Sequence, residues 1–324
     1  MEVLLFMRIL VTGGSGFLGS WICRLLSSNF ETFALIRPSS NLHRIGDLEK
    51  LNVISSEEAH WGEVIREYKP DVLILADWWG VGNIHRNNLE QIDNLKRMLI
   101  VGEAAKASGV NLVIGLGSQA ELGPVLDDIS EKLIDNPTSE YARAKIACWL
   151  AMQNIFHSTE TRFVWMRIFS TYGPLDDGPW LIPQLVDSIT RKKVMDLTDG
   201  IQEWSYLHAY DFASAVLAVV KKTDLQGIIH VGNPETITIK DAVAIVGRLM
   251  NGEDLLNFGV VPYRPDQVMR MKPICETLTS IGWKPSISFE EGIKQTVEWL
   301  TNNTISPIQT LTGERLLFNF PSRT

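Results

Sequence analysis

Tyr141 and Lys145 stand four residues apart in the stretch "TSEYARAKIACWL". At that spacing on a helix both side chains leave the same face. An ammonium near a phenol favours the phenolate, which brings a tyrosine toward the range where it exchanges a proton with a substrate oxygen. Y-x-x-x-K is common on solvated helix faces, so the pair needs a third group. The apolar run "NLVIGLGS" reads as a buried strand ending at Ser118. In an open parallel sheet, ligands sit beyond the carboxyl ends of the strands. A hydroxyl there can hydrogen-bond a substrate oxygen beside the tyrosine. Ser118, Tyr141 and Lys145 are therefore the expected catalytic residues.

A second constellation lies near the start of the chain, in "ILVTGGSGFLGSWICRLL". Gly13, Gly16 and Gly19 follow the strand-like "RILVT" and open the helical "FLGSWICRLLSS". Glycines at i, i+3 and i+6 permit a tight turn, close approach of a ligand to the backbone, and close contact between helix and strand. Strand, glycine turn and helix form the first half of a dinucleotide-binding unit, with the helix N-terminus facing a pyrophosphate. Chains that use NAD place an acid about 20 residues further on, for the ribose 2′-hydroxyl. Here "ALIRPSSN" puts Arg37 at that place, followed by Ser39 and Ser40. A cation with hydroxyls suits a 2′-phosphate, so NADP(H) is the expected cofactor.

These groups need a scaffold, and the chain provides one. It has 324 residues, 45% hydrophobic and 21% charged, as in ordinary globular proteins. The net charge of -8 and a pI near 5.4, without a basic block, argue against a nucleic-acid partner. "MEVLLFMRILVTGG" reads as a first strand rather than a signal peptide, because Glu2 and Arg8 interrupt it and the glycine turn follows. No apolar run reaches the length of a membrane span, so no membrane partner is expected. Cys23, Cys148 and Cys275 lie too far apart for a metal or redox motif, which suits free thiols in the cytoplasm. The six histidines have no metal-ligand spacing, so no metal is expected.

Apolar strands alternate with helical stretches at 88–107 and 140–157 up to about residue 170. That rhythm predicts an α/β fold: a Rossmann-type doubly wound parallel sheet with a smaller C-terminal substrate-binding domain. The expected dinucleotide-binding domain covers 1–170, with 206–232 returning to it. The substrate domain covers 171–205 and 233–303, and 304–324 form a tail.

With T-G-G-x-G-F-L-G after the first strand, a serine closing "LGS", and then Y-x-x-x-K, the chain resembles the extended short-chain dehydrogenase/reductases. Within them it resembles the nucleotide-sugar epimerase/dehydratase group, over residues 8 to about 300. The resemblance implies that Gly13, Gly16 and Gly19 hold the pyrophosphate, with Ser15, Phe17 and Leu18 around it. It carries Leu75, Ala76 and Ile168 into the cofactor contacts. Ser118 would orient the reacting oxygen, Tyr141 act as general acid/base, and Lys145 bind the nicotinamide ribose and tune Tyr141. Asn94 falls near an asparagine of the family's fourth helix. "RIFSTYGP" matches a family segment but has Ser170 where asparagine is usual. Arg264 in "PYRPDQV" matches an arginine that grips the diphosphate, and its planar fork suits paired oxygens. The family's Q-x-R-D-F is "QEWSY" here, with Trp204 in place of a second arginine. The rings of Trp180 and Trp204 can stack on a base or sugar, or fill a core. The substrate set implied is Ser118, Gln119, Ser170, Trp180 and Arg264.

Dehydratases of the group follow the active-site hydroxyl with an Asp-Glu pair, where this chain has Gln119 and Ala120. Gln119 also replaces the cysteine of the epimerase/reductases that form 6-deoxyhexoses. "GSQAELGP" and "WLIP" resemble the 4-ketoreductases that make 3,6-dideoxyhexoses such as CDP-abequose. The expected reaction is NADPH-dependent reduction of a nucleotide-linked 4-keto-6-deoxy sugar, 3,6-dideoxy forms included. A C4 epimerase with tightly bound NAD is one alternative. A non-enzymatic NADP-binding regulator is another, though such members typically lack the tyrosine or the lysine. A homodimer is expected through the helices in 88–107 and 140–157. The family pairs these, and here they carry Met98, Val101, Trp149 and Met152.

Overall fold

In the computed structural model, which describes residues 7–264, 267–302, 306–318 and 320–321, "RILVT" forms strand β1 (Arg8–Thr12). Helix α1 (Phe17–Leu26), strands β2 (Glu31–Ile36) and β3 (Leu51–Ser55), helix α2 (Trp61–Tyr68) and strand β4 (Val72–Leu75) follow. Next come α3 (Gln91–Ala107), β5 (Leu112–Ser118), α4 (Glu140–Phe156), β6 (Arg162–Ile168) and, after an excursion, β7 (Gly227–Val231). They build one seven-stranded sheet in the order β7-β6-β5-β4-β1-β2-β3. All pairings from β6 to β3 are parallel. β4 and β5 are buried at every position, as helices on both faces require. The strand order reverses between β1 and β4, so the glycine turn opens at the switch point where ligands bind in such sheets.

The chain divides into two compact units. One comprises Met1–Gly123, Ile134–Ile168 and Ala213–His230; the other comprises Pro124–Leu133, Phe169–Phe212 and Val231–Thr324. The return to the first unit is thus shorter than 206–232, and 124–133 group with the second.

The core of the first unit packs Leu73, Val113 and Trp165 of the sheet against Trp61, Met98, Val101, Trp149 and Met152. This corrects the reading of the α3 and α4 stripes. Met98, Val101, Trp149 and Met152 are buried within one chain and are not free to meet another. Gly102 lets the helices approach closely, since a Cβ there would lie 2.6 Å from Met152 Sδ. The large apolar side chains that these helices do expose are Ile92, Ile100 and Leu150.

In the second unit, helices Leu181–Thr190, Ile239–Met250 and Phe289–Asn302 pack together, and three short strands pair Ile237–Thr238, Glu203–Trp204 and Arg270–Met271. The tail is not featureless: Ile308–Gln309 pairs antiparallel with Arg315–Leu316. Asp211, fully buried, accepts hydrogen bonds from Ser286 N and Oγ (3.0 and 2.6 Å) and Ile287 N (3.0 Å). Burial outweighs these donors and pushes its carboxyl from 3.8 up to about 6. The folded chain therefore holds this proton more tightly than the unfolded one. The resulting stability is fully present below the unfolded value and lost as pH rises through about 6. Asp211→Asn keeps the shape without titrating. The unfolding free energy of the parent relative to this variant is expected to fall by on the order of 2 kcal/mol between pH 4 and 7. Parallel denaturation profiles would contradict the assignment.

Candidate active site

Gly13 has a left-handed φ of +66°, and a Cβ there would sit 2.8 Å from the backbone of Asp77. A Cβ on Gly19 would collide with the carbonyl oxygen of Gly13. No side chain fits at either position, so the turn lies flat against the end of β4. Gly16 caps α1 without a side-chain hydrogen bond, and no acid occupies the first turn. The amides of that turn, Phe17 and Leu18 among them, form the anion site that a helix N-terminus offers. These features fit a pyrophosphate. Arg44, which the sequence reading missed, donates from Nη1 to the carbonyl of Ser15 in this turn (3.3 Å).

Ala76, just past Leu75, donates its N–H to Thr12 O (3.2 Å), which ties the end of β4 to the end of β1. Arg37, Ser39 and Ser40 follow β2, and Arg37 is half exposed. A carboxylate stands beside it: Glu58 Oε1 lies 3.7 Å from Arg37 Nη1. The other oxygen of Glu58 accepts from Arg97 Nη1 (3.1 Å), and Arg97 Nε reaches Asp77 Oδ2 (2.7 Å). Asp77 also accepts from the Thr12 hydroxyl. Asn94 is buried and clamps both backbone groups of Trp79.

Ser118 ends β5 and caps a single turn, Gln119–Leu122, by accepting from Ala120 N (3.2 Å). α4 begins at a Ser139 cap and carries Tyr141 and Lys145 into the interior. The Ser118 side chain neighbours the Tyr141 hydroxyl closely enough to favour its ionised form. Lys145 Nζ donates to Leu116 O (2.6 Å) and lies 3.7 Å from the ring centroid of Trp78. The three expected catalytic residues therefore converge, and Ser118 pairs with Ile168 across β5 and β6.

Their electrostatics differ from the expectation. Burial raises the Tyr141 pKa, and the groups pulling it back are the Ser118 side chain and the Arg86 guanidinium. Lys145 is not among them. Its ammonium is 5.8 Å from the Tyr141 ring centroid, and burial lowers its own pKa to about 8. Tyr141 is thus a protonated phenol at neutral pH.

Behind Ser118 lies a group whose role the sequence did not reveal. Glu121 is fully buried and accepts from Ser118 N (2.7 Å), Trp165 Nε1 (3.1 Å) and Arg167 Nε (2.8 Å). Burial pushes its pKa up, while Arg167 and the donors pull it down. Arg167, also fully buried, reaches Asp135 Oδ1 from Nη2 (2.6 Å).

The second unit holds Ser170, Trp180 and Arg264. Arg264, Trp204, Tyr206, Gln202 and Gln267 line a cleft of about 300 Å³. Trp180 is not among its lining residues and lies against Gly178, while Trp204 is. The Ser170 hydroxyl is 3.6 Å from Met271 Sδ.

Residues 9–232 match the family described as NAD dependent epimerase/dehydratase. The chain belongs to that family. Among curated relatives, dTDP-D-glucose 4,6-dehydratase of Mus musculus is 24% identical over 91% of this chain and 89% of that protein. GDP-L-fucose synthase of Sinorhizobium fredii is 27% identical over 91% and 96%. Among solved structures, UDP-N-acetylglucosamine 4-epimerase from Methanobrevibacter ruminantium M1, in complex with UDP-N-acetylmuramic acid, superposes with a TM-score of 0.84. It is 22% identical and covers 93% of this chain and 100% of that one. Among the described residues, no helix is long and apolar enough to cross a membrane, and no group of three His, Cys, Asp or Glu is placed to hold a metal. The three cysteines are buried and free.

Proposed function

We propose that this member of the family reduces a nucleotide-linked 4-keto-6-deoxy sugar, 3,6-dideoxy forms included, with NADPH. The observation that carries the reading is the convergence of Ser118, Tyr141 and Lys145 with no free carboxylate beside them among the described residues. Elimination of water needs a carboxylate that can exchange protons. Glu121 is bound to Arg167 and Asp77 to Arg97, while Gln119 and Ala120 carry none. A protonated Tyr141 also favours reduction, which consumes a proton at the ketone oxygen.

A nicotinamide cofactor supplies hydride when bound, and Gly13, Gly16, Phe17, Leu18, Gly19, Leu75, Ala76, Arg37, Ser39, Ser40 and Ile168 are the residues proposed to hold it. Ser118 donates a hydrogen bond to the ketone oxygen. Tyr141 transfers its proton as that oxygen gains charge. Lys145 is the proposed contact for the nicotinamide ribose. Arg264 is the proposed cation for the diphosphate, with Trp204 beside it, and Ser170 and Trp180 remain proposed sugar contacts. A cytoplasmic homodimer fits the free cysteines and the exposed Ile92, Ile100 and Leu150.

Arg37→Asp is expected to weaken NADPH binding about tenfold, roughly 1.4 kcal/mol, the scale of a charge-assisted contact at a half-exposed site. Fluorescence titration of the parent giving equal affinities for NADH and NADPH would contradict the cofactor assignment. Glu58 favours a second reading, a C4 epimerase, because a carboxylate beside Arg37 can accept from a ribose 2′-hydroxyl. That reading predicts one tightly held NAD in the purified protein and interconversion of C4 epimers without added cofactor.

A further inference from the structure

The phenol of Tyr141 faces more than its partners in the Y-x-x-x-K pattern. From the loop between β4 and α3 comes Arg86, whose guanidinium carbon lies 5.1 Å from the Tyr141 ring centroid. The arginine is held at two points. Its carbonyl accepts the N–H of Tyr141 (2.8 Å), which fixes the loop to the first turn of α4. Its Nε donates to Val81 O (3.2 Å), which directs the side chain. Lys145, by contrast, is engaged by Leu116 O and the face of Trp78.

We propose that Arg86 is a positioning residue for the Tyr141 proton: its guanidinium, held over the ring, favours the phenolate and sets the pH at which Tyr141 gives its proton up. The proposal rests on the reading of Tyr141 as the proton donor. The groups that face the phenol are the Ser118 hydroxyl from β5, the Glu121 carboxylate from the following turn, Lys145 on α4, Trp78 and Arg86. Glu121 opposes ionisation and is itself paired with Arg167. Lys145 loses its charge at about pH 8. A guanidinium keeps its charge at every pH the protein meets. Arg86 is thus the group whose attraction for a phenolate persists into the alkaline range.

The test is an ultraviolet titration of phenolate absorbance, taken as the difference between each protein and its Tyr141→Phe counterpart, which isolates this tyrosine and needs no substrate. In Arg86→Gln and in Arg86→Met, the onset of Tyr141 ionisation is expected to move up by about one pH unit. Arg86→Lys should restore most of the shift. Circular dichroism defines the pH range in which each variant is folded, and two neutral variants guard against one failing to fold. An onset unchanged in a folded neutral variant, or a shift that Arg86→Lys does not reverse, overturns the proposal. The donor reading is tested separately, by turnover of the Tyr141→Phe protein. If that turnover is normal, the reading fails whatever the titration gives.

Discussion

Tyr141→Phe is expected to lower turnover by roughly a hundredfold or more while cofactor affinity stays close to that of the parent. The substitution removes one oxygen and leaves the ring, which packs edge-on to Trp78 with centroids 6.1 Å apart. The fold is therefore kept, and the loss falls on the chemical step. Ser118 remains to hydrogen-bond the ketone, so a residual rate should survive. In the proposed mechanism the phenol supplies the proton, and its raised pKa keeps it protonated at neutral pH. The rate of the parent should accordingly fall on the alkaline side, as the phenol ionises. Steady-state kinetics would contradict this assignment if the phenylalanine protein turned over within about threefold of the parent.

The second large effect is on stability. Glu121→Ala is expected to cost about 3 to 5 kcal/mol in denaturant unfolding, the range for removing one partner of a buried ion pair. The cost arises mainly from what is left behind. Arg167 is fully buried, and without Glu121 its charge would have only Asp135 among the described residues. Ser118 N and Trp165 Nε1 would lose their acceptor as well. Replacing both charges together, as in Glu121→Leu with Arg167→Met, should recover much of the loss, because an apolar pair of similar volume avoids the desolvation cost. A loss below about 1 kcal/mol for the single substitution would mean that Arg167 finds another partner.

Much of the first unit was legible because its strands are nearly continuous apolar runs. "RILVT", "NLVIGLGS" and "RFVWMRIFS" read as β1, β5 and β6 since helices cover both faces of the sheet. β3 and α2 were not legible. β3 is an edge strand, "LNVIS", with Asn52, Val53 and Ser55 exposed, so it has no buried face to imprint a pattern. Ser118, Tyr141 and Lys145 could be found because a strand end and an i, i+4 spacing are local signals. The groups that tune them could not. Arg167 meets Glu121 across 46 residues, and Arg97 meets Glu58 across 39. Such pairings follow from topology and leave no periodic trace. The α3 and α4 stripe was seen but assigned to a partner, because spacing cannot tell a neighbouring helix of the same chain from one of another.

Reduction of the sugar ketone can be followed in a single assay. The purified protein is incubated with NADPH and, in turn, CDP-, dTDP- and GDP-linked 4-keto-6-deoxy sugars, with and without the 3-deoxy change, and absorbance at the NADPH band is followed. Ketone reduction predicts stoichiometric NADPH oxidation with one nucleotide series, matched by a 4-hydroxy product. It is contradicted if none of these sugars consumes NADPH while a nucleotide hexose is converted to its C4 epimer without added cofactor.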